Sequence, residues 1–338
     1  MPDPTTLLLI LTLGWLAVGL LAPLETLGWY AGWFGTETLA EEEPALPSPH
    51  ADAIRDPQAF IVFFSGIHVV AEHTFAPRER AFLDALRDTL PHAHLVEVFP
   101  YSVTNRALTG QRLFAWFWRA ALNLRLNRRG MLATAGAVIN LRNAWQVAVS
   151  ADHRYGPMYD EGSAALAERA LARAGYDPTR RTPVVLVGYS GGGQVALGAA
   201  TPLAKRIGRP VRVVSLGGVM ASPRDLTGIE RIVHLRGRFD RVARLGAIFF
   251  PGRWWFTPWS TWNRARATGI IDVEDLGPMD HTGPDGYLDE KAVLPDGRTH
   301  RTATLDAIVR AVTEPWNGTA SPWDAPSRKT SRSTPPSA

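Results

Sequence analysis

The chain has 338 residues, enough for one large domain with appendages or for two small domains, and its 46% hydrophobic content can fill a core. Its formal net charge is +4, and only three of its 36 basic residues are lysines. It contains no cysteine, which excludes disulfides, thiolate catalysis and cysteine-based zinc sites.

The first element is an apolar run without charges over residues 5–24, which is long enough to cross a bilayer. Aromatic residues follow at positions 29, 30, 33 and 34, as they do at a membrane interface. We therefore expect residues 1–38 to form an N-terminal transmembrane anchor, with a cleaved signal peptide as the alternative. The first basic residue is Arg55, so the sequence does not predict on which side of the membrane the rest lies.

The composition divides the remainder into three parts. Residues 39–58 are acidic and rich in proline, which is typical of a linker. Residues 59–317 form the predicted globular domain. Residues 318–338 are rich in Ser, Thr and Pro, which predicts a disordered tail.

Within the globular part, short β-favouring runs alternate with segments of helical spacing. This alternation predicts an α/β fold with a mostly parallel sheet flanked by helices. The predicted strands are 59–64, 94–99, 184–187, 212–216, 232–235 and 270–273, and the predicted helices include 77–90, 162–174 and 302–312.

Residues 98–151 contain seven arginines and no acidic residue, interleaved with tryptophan and phenylalanine. We expect a helical insertion at about 103–155, either packed on the sheet or forming a lid that rests on anionic lipid. The chain lacks a nucleic-acid-binding motif, so no nucleic-acid partner is expected. A second aromatic segment, residues 254–262, is predicted to lie partly in the core, and some of its side chains could line an acyl pocket or enter the membrane interface.

The central motif is Gly188-Tyr-Ser190-Gly-Gly192, which stands between a buried strand and a helix-compatible run. A serine on such a sharp turn projects above the sheet, and the positions two before and two after it must be small. Gly188 and Gly192 meet that need. The motif predicts Ser190 as a nucleophile with the Gly191 N–H as an oxyanion donor; the alternative is a glycine-rich turn that holds a phosphate.

A serine hydroxyl needs a base, and the base needs an acid that fixes its tautomer. Asp240 follows the strand 232–235 and is the predicted acid, although it could instead cap a helix or pair with an arginine. Asp225 is the reserve candidate. His281 follows the last predicted strand in a loop and is the predicted base, and the second oxyanion donor is expected at the Ile67 N–H, just past the first strand.

These residues resemble the nucleophile elbow and triad of the α/β-hydrolase fold superfamily, over roughly residues 59 to 315. The resemblance implies a sheet covered by helices, with a cap often inserted between strands. Here the insertion precedes the nucleophile strand, whereas many members carry their cap after it, and Ser65-Gly66 replaces the usual His-Gly before the oxyanion turn.

The sequence therefore predicts a membrane-anchored serine hydrolase of carboxylic esters, with lipid or acyl esters as the candidate substrates, that needs no cofactor or metal. Two alternatives remain open at this stage. One is a non-catalytic membrane protein of the same fold that binds a lipid or protein partner. The other is a peptidase or thioesterase with the same triad, because a fold does not choose a substrate. The oligomeric state is not predicted.

Overall fold

A computed structural model of the chain describes residues 56–68, 75–100 and 133–315, together with isolated positions between 3 and 17. Apart from those positions, the predicted anchor lies outside the described residues. So do most of the linker, residues 101–132 of the insertion, and the tail. Among the helices of the described part, none combines the length and apolarity required to span a membrane.

The described residues form a single parallel sheet and the helices that cover it. The strands are β1 (Ala59–Phe64), β2 (Ala93–Val98), β3 (Val184–Tyr189), β4 (Val211–Leu216), β5 (Ile229–Arg236) and β6 (Ile271–Asp275). The α-helices are α1 (Pro77–Thr89), α2 (Ala133–Ala151), α3 (Gly156–Arg173), α4 (Gly191–Ile207), α5 (Arg241–Phe249), α6 (Thr261–Ala267) and α7 (His300–Thr313).

The six strands lie in the order β2-β1-β3-β4-β5-β6, and every adjacent pair is parallel. The α/β architecture expected from the alternating segments is therefore present. Each predicted strand is found within a few residues of its predicted bounds. The helices α5 and α6 were not predicted: both are short, and the apolar stripe of α5 faces away from the core.

Alternate residues of each central strand supply two separate cores, one on each face of the sheet. On β3, Val184 and Leu186 face one core, and Val185 and Val187 face the other. Because both faces are covered, all six residues of β3 are apolar or small and buried, as in other parallel sheets. The first core contains residues of α2, α3, α4 and α6, and the second contains residues of α1 and α7.

The aromatic segment and the arginine-rich segment each contribute a buried side chain. Trp262 is buried in the first core, whereas Trp255 and Trp259 are exposed, so the aromatic segment lies only partly in the core. Of the seven arginines in residues 98–151, Arg142 is buried on α2. That arginine therefore does not belong to any surface that could touch lipid.

Candidate active site

The strand order changes direction between β1 and β3, and the candidate site lies at that point. The chain runs from β1 outward to β2 on one side and returns to start β3 on the other side of β1. In open parallel sheets the crevice at the carboxyl ends of such strands is where ligands bind. Gly66 follows β1 and Ser190 follows β3 at this edge. A Cβ placed on Gly66 would lie 3.6 Å from the Cβ of Ser190.

Ser190 occupies a strained turn between β3 and α4. Its φ is 55° and its ψ is −124°, a conformation that non-glycine residues rarely adopt and that costs about 1–3 kcal/mol. The turn leaves no space for side chains on either side. A Cβ on Gly188 would lie 2.3 Å from the carbonyl oxygen of Gly192, and one on Gly192 would lie 2.3 Å from that of Phe64. These contacts explain why both positions are glycine.

The side chains of Ser190, His281 and Asp240 form a continuous hydrogen-bonded chain. The Nε2 atom of His281 lies 2.8 Å from Ser190 Oγ, and its Nδ1 atom lies 2.8 Å from Asp240 Oδ2. Asp240 and His281 follow β5 and β6 and meet Ser190 although they are 50 and 91 residues away from it in sequence. Since the carboxylate accepts from Nδ1–H, Nε2 is the atom left to accept the proton of the serine hydroxyl.

The carboxylate of Asp240 contacts both the start of a helix and the predicted base. Its Oδ1 accepts a hydrogen bond from the Ala243 N–H at 2.8 Å and thereby caps the start of α5, while Oδ2 faces His281. Burial alone would raise the pKa of this carboxyl. The hydrogen bonds from His281, Tyr287 and the Ala243 N–H outweigh burial, so the pKa of Asp240 lies below its ordinary value.

The reserve acid, Asp225, does not contact His281. It lies in the loop after β4, where its Oδ1 accepts from the backbone N–H of Thr227 at 2.8 Å, and Lys205 Nζ is 3.9 Å from Oδ2. Of the two arginines that could have paired with Asp240, Arg238 contacts Asp275 at 3.3 Å, and Arg241 is exposed. Of the candidate carboxylates, the structure brings only Asp240 to the histidine.

The two expected oxyanion donors belong to the two turns that meet at the candidate site, after β3 and after β1. Gly191 is the first residue of α4, so no intrahelical hydrogen bond uses its N–H. Ile67 lies in the turn after β1, and its carbonyl accepts a hydrogen bond of 2.5 Å from Nδ2 of Asn143 on α2. The insertion helix α2 thus fixes the backbone of this turn.

Two tyrosines make contacts around the site that were not predicted from sequence. The hydroxyl of Tyr287 donates to Asp240 Oδ2 and accepts from the Gly237 N–H at 2.8 Å. The hydroxyl of Tyr189 donates to the His281 carbonyl at 2.9 Å, and its ring stacks on the imidazole. These tyrosines hold Asp240 and His281 in place, and burial raises the pKa of both tyrosine hydroxyls above its ordinary value.

A second histidine–carboxylate pair lies beside the turn after β1. His68 Nε2 is 2.6 Å from Glu79 on α1, and Glu79 is buried. The His68 ring is also within 3.3 Å of a Cβ placed on Gly66. The pair joins the turn to α1, just as Asn143 joins it to α2. Among the described residues, no group of three or more His, Asp or Glu side chains is arranged to hold a metal ion.

Several solved structures are similar to this chain. No family model matches the chain, and no curated protein does. One similar solved structure is a dienelactone hydrolase-like promiscuous phosphotriesterase from metagenomic libraries. Its TM-score is 0.41 at 14% identity, and the match covers 76% of this chain and 86% of that one. The evidence for a function of this chain therefore comes from the geometry of the candidate site around Ser190.

Proposed function

We propose that this chain is a serine hydrolase of the α/β-hydrolase type that cleaves carboxylic esters through an acyl-enzyme. The observation that carries the proposal is the chain of 2.8 Å contacts from Ser190 through His281 to Asp240, mounted on a strained strand-to-helix turn. A purely structural glycine-rich turn does not require a buried carboxylate and an aligned imidazole.

The geometry supports the following sequence of steps. His281 Nε2 accepts the hydroxyl proton as Ser190 Oγ attacks the ester carbonyl, and Asp240 stabilises the imidazolium that forms. The N–H of Gly191 and, on the other side, that of Ile67 donate to the developing oxyanion. The tetrahedral intermediate collapses, His281 gives its proton to the departing alkoxide, and an acyl-serine remains. Water, deprotonated by His281, then releases the acid and restores the serine.

A fluorophosphonate probe tests the nucleophile directly. We expect covalent labelling of the wild-type chain and no labelling of Ser190→Ala, because the phosphorus atom is attacked only by an activated hydroxyl. His281→Ala should lose nearly as much ester hydrolysis as Ser190→Ala, since the triad acts as a unit. Labelling of the Ser190→Ala variant at the wild-type level would place the nucleophile elsewhere. Absence of labelling in both proteins would instead favour a non-catalytic role.

A panel of dissolved esters, thioesters and amides, with Ser190→Ala as the matched control, then separates the esterase from the thioesterase and the peptidase. The preferred acyl length is read from the same panel. Activity that the Ser190→Ala variant retains does not come from Ser190, so it is not assigned to the esterase, the thioesterase or the peptidase.

We also propose that residues 1–38 hold the enzyme in a membrane. The support is the uncharged apolar run over residues 5–24 followed by aromatic residues. Full-length protein is expected to stay in the membrane pellet after alkaline carbonate extraction, and a variant that begins near Glu42 should be released. Release of the full-length chain into the supernatant would contradict the anchor.

A further inference from the structure

Seven large apolar side chains are exposed within residues 239–259. They account for seven of the 13 large apolar side chains exposed in the described part of the chain. Trp255 is 87% exposed, Trp259 71% and Phe249 67%. Clusters of this kind mark interaction sites far more often than single exposed apolar residues do. We call this surface the aromatic face; it consists of Phe239, Leu245, Ile248, Phe249, Trp255, Phe256 and Trp259.

The aromatic face is one surface and not two separate patches. On α5, only Ala243 and Gly246 are buried, whereas Leu245, Ile248 and Phe249 are exposed at helical spacing. The end of this helix meets the following loop, because the indole N–H of Trp254 donates to the Ile248 carbonyl at 3.3 Å.

Ring contacts continue the surface along the loop. The ring centroid of Phe256 lies 5.2 Å from that of Trp254 and 5.5 Å from that of Trp255. Helix and loop therefore present their apolar side chains together.

The face borders the candidate active site. Phe239, its first residue, directly precedes Asp240, and Asp240 is the residue that caps α5. The end of the face at Phe239 is therefore next to the proposed triad acid, and the rest of the face extends away from it along α5.

The charges around the aromatic face are almost all positive. Residues 238–266 contain six arginines and a single acidic residue, Asp240, which is buried against His281. One of the six, Arg238, lies 3.3 Å from Asp275, and another, Arg253, is partly buried over the Trp262 ring. The other four are exposed, two on α5 itself and two on α6, the helix that follows the aromatic loop: Arg241, Arg244, Arg264 and Arg266.

Exposed aromatic side chains together with positive charge indicate which kind of partner the aromatic face binds. Exposed tryptophan and phenylalanine accompanied by arginine match the interfacial zone of a bilayer that carries anionic lipid. A second copy of the chain would bring the same arginines against each other. Residues 101–132 contain six arginines and no acidic residue, so they too would oppose the charge of the face. Charge complementarity therefore favours anionic lipid over a second copy of the chain and over residues 101–132.

We propose that the aromatic face docks on the surface of an anionic bilayer, so that the site beside Asp240 opens toward the lipid and takes its ester from the membrane. The docking stands on the exposed residues and their charges alone. The uptake of a lipid ester rests on the proposed hydrolase activity.

The absence of cysteine allows a test of docking with the full-length chain. A fluorescent label is placed on Ile248→Cys and, in a second protein, on Val293→Cys; both side chains are 59% exposed, but Val293 lies outside the aromatic face. Each protein is mixed with phosphatidylcholine vesicles that contain or lack phosphatidylserine. Quenching by nitroxide-bearing lipid is compared with quenching by aqueous iodide, at low and at high salt.

We expect the label at position 248 to be quenched by nitroxide lipid and protected from iodide when phosphatidylserine is present, and less so at high salt. The label at position 293 should be quenched by iodide throughout. Docking is overturned if iodide quenches both labels equally in every lipid mixture. It is also overturned if the label at position 248 is protected before lipid is added, because a second copy or another part of the chain then covers the face.

A variant with Ile248→Ser, Phe249→Ser and Trp255→Ser tests access to the substrate. We expect hydrolysis of a long-chain ester embedded in vesicles to fall at least about tenfold, because the burial of three large apolar groups is lost. Hydrolysis of a short dissolved ester should be unchanged. Equal losses on both esters would overturn membrane access. A wild-type chain inactive on both esters would overturn the proposed hydrolase, and the quenching experiment would still decide the docking.

Discussion

At the scale of single residues, His234 is the histidine whose titration should most affect folding. It lies on β5 with no exposed surface, its Nδ1 is 3.3 Å from Ser215 Oγ, and its ring packs edge-on against Trp262. Burial, aided by the nearby charges of Arg253 and Arg236, lowers the pKa of His234 to about 3. The side chain is therefore neutral in the folded protein at neutral and at mildly acidic pH.

This lowered pKa predicts a loss of stability in acid. The unfolded chain binds a proton at His234 near pH 6.5, but the folded chain does so only near pH 3, so acidification between these values favours the unfolded state. We expect His234→Asn to make the free energy of unfolding less dependent on pH over this range. Urea unfolding at several pH values measures the slope, and the value at neutral pH records the packing lost in the variant. An unchanged slope would contradict the prediction.

The residues of the site differ in how far the sequence could predict them. Ser190, Asp240 and His281 could be named because each follows a predicted strand, and parallel strands bring their carboxyl ends to one edge. Tyr287 and Asn143 could not, because their partners lie 47 and 76 residues away and no local pattern marks them. Their contacts depend on how loops pack after the sheet has formed.

At the scale of elements, α5 was missed because its sequence, Arg241–Phe249, has only two small buried residues and an exposed apolar face. Its start is fixed by the side chain of Asp240 and not by an apolar stripe. One carboxylate therefore begins the helix and also orients His281. The two functions can be separated by the choice of substitution.

Asparagine caps helices about as well as aspartate, whereas alanine does not. We expect Asp240→Asn to unfold within about 1 kcal/mol of the wild type and to lose roughly 10³–10⁴-fold in kcat, because the amide cannot hold the required tautomer of His281. Asp240→Ala should lose similar activity and an additional 1 kcal/mol or so of stability. Ester kinetics and urea unfolding measure the two effects.

Asp225→Asn is the matched control for these variants. That residue makes the same kind of turn contact, with the backbone N–H of Thr227, but does not reach His281. It should leave kcat close to the wild-type value. If Asp225→Asn is instead the more damaging change, the assignment of the acid is wrong.

At the scale of the whole molecule, Arg212 joins the last helix to the sheet. It lies on β4 with no exposed surface, and its Nε and Nη2 atoms contact the two carboxylate oxygens of Glu230 at 2.8 and 3.0 Å. The same guanidinium donates to the carbonyls of Ala311 and Glu314 at the end of α7. These carbonyls have no partner within the helix, so the buried cation satisfies them.

The sequence could predict the strand and the helix but not this connection, because Arg212 and Glu314 are 102 residues apart. The connection also reaches the candidate site. On α7, the hydroxyl of Thr304 donates to the carbonyl of Tyr287, whose own hydroxyl contacts the acid Asp240. The position of α7 and the geometry around the triad are therefore linked.

The last prediction concerns this buried pair. Arg212→Met should lower the free energy of unfolding by about 3–5 kcal/mol, because Glu230 and the carbonyls of α7 are left buried without their donor. Arg212→Lys should retain only part of this free energy of unfolding, since an ammonium cannot replace a planar guanidinium with five N–H donors. The double variant Arg212→Met, Glu230→Leu should lose less than the sum of its single variants.

The matched control is Arg298→Met, which removes a solvent-exposed arginine that also contacts two carboxylates. It should lower the free energy of unfolding far less. Urea unfolding of the wild type and of the five variants, Glu230→Leu alone included, measures these losses, and additive losses in the double variant would show that Arg212 and Glu230 act independently.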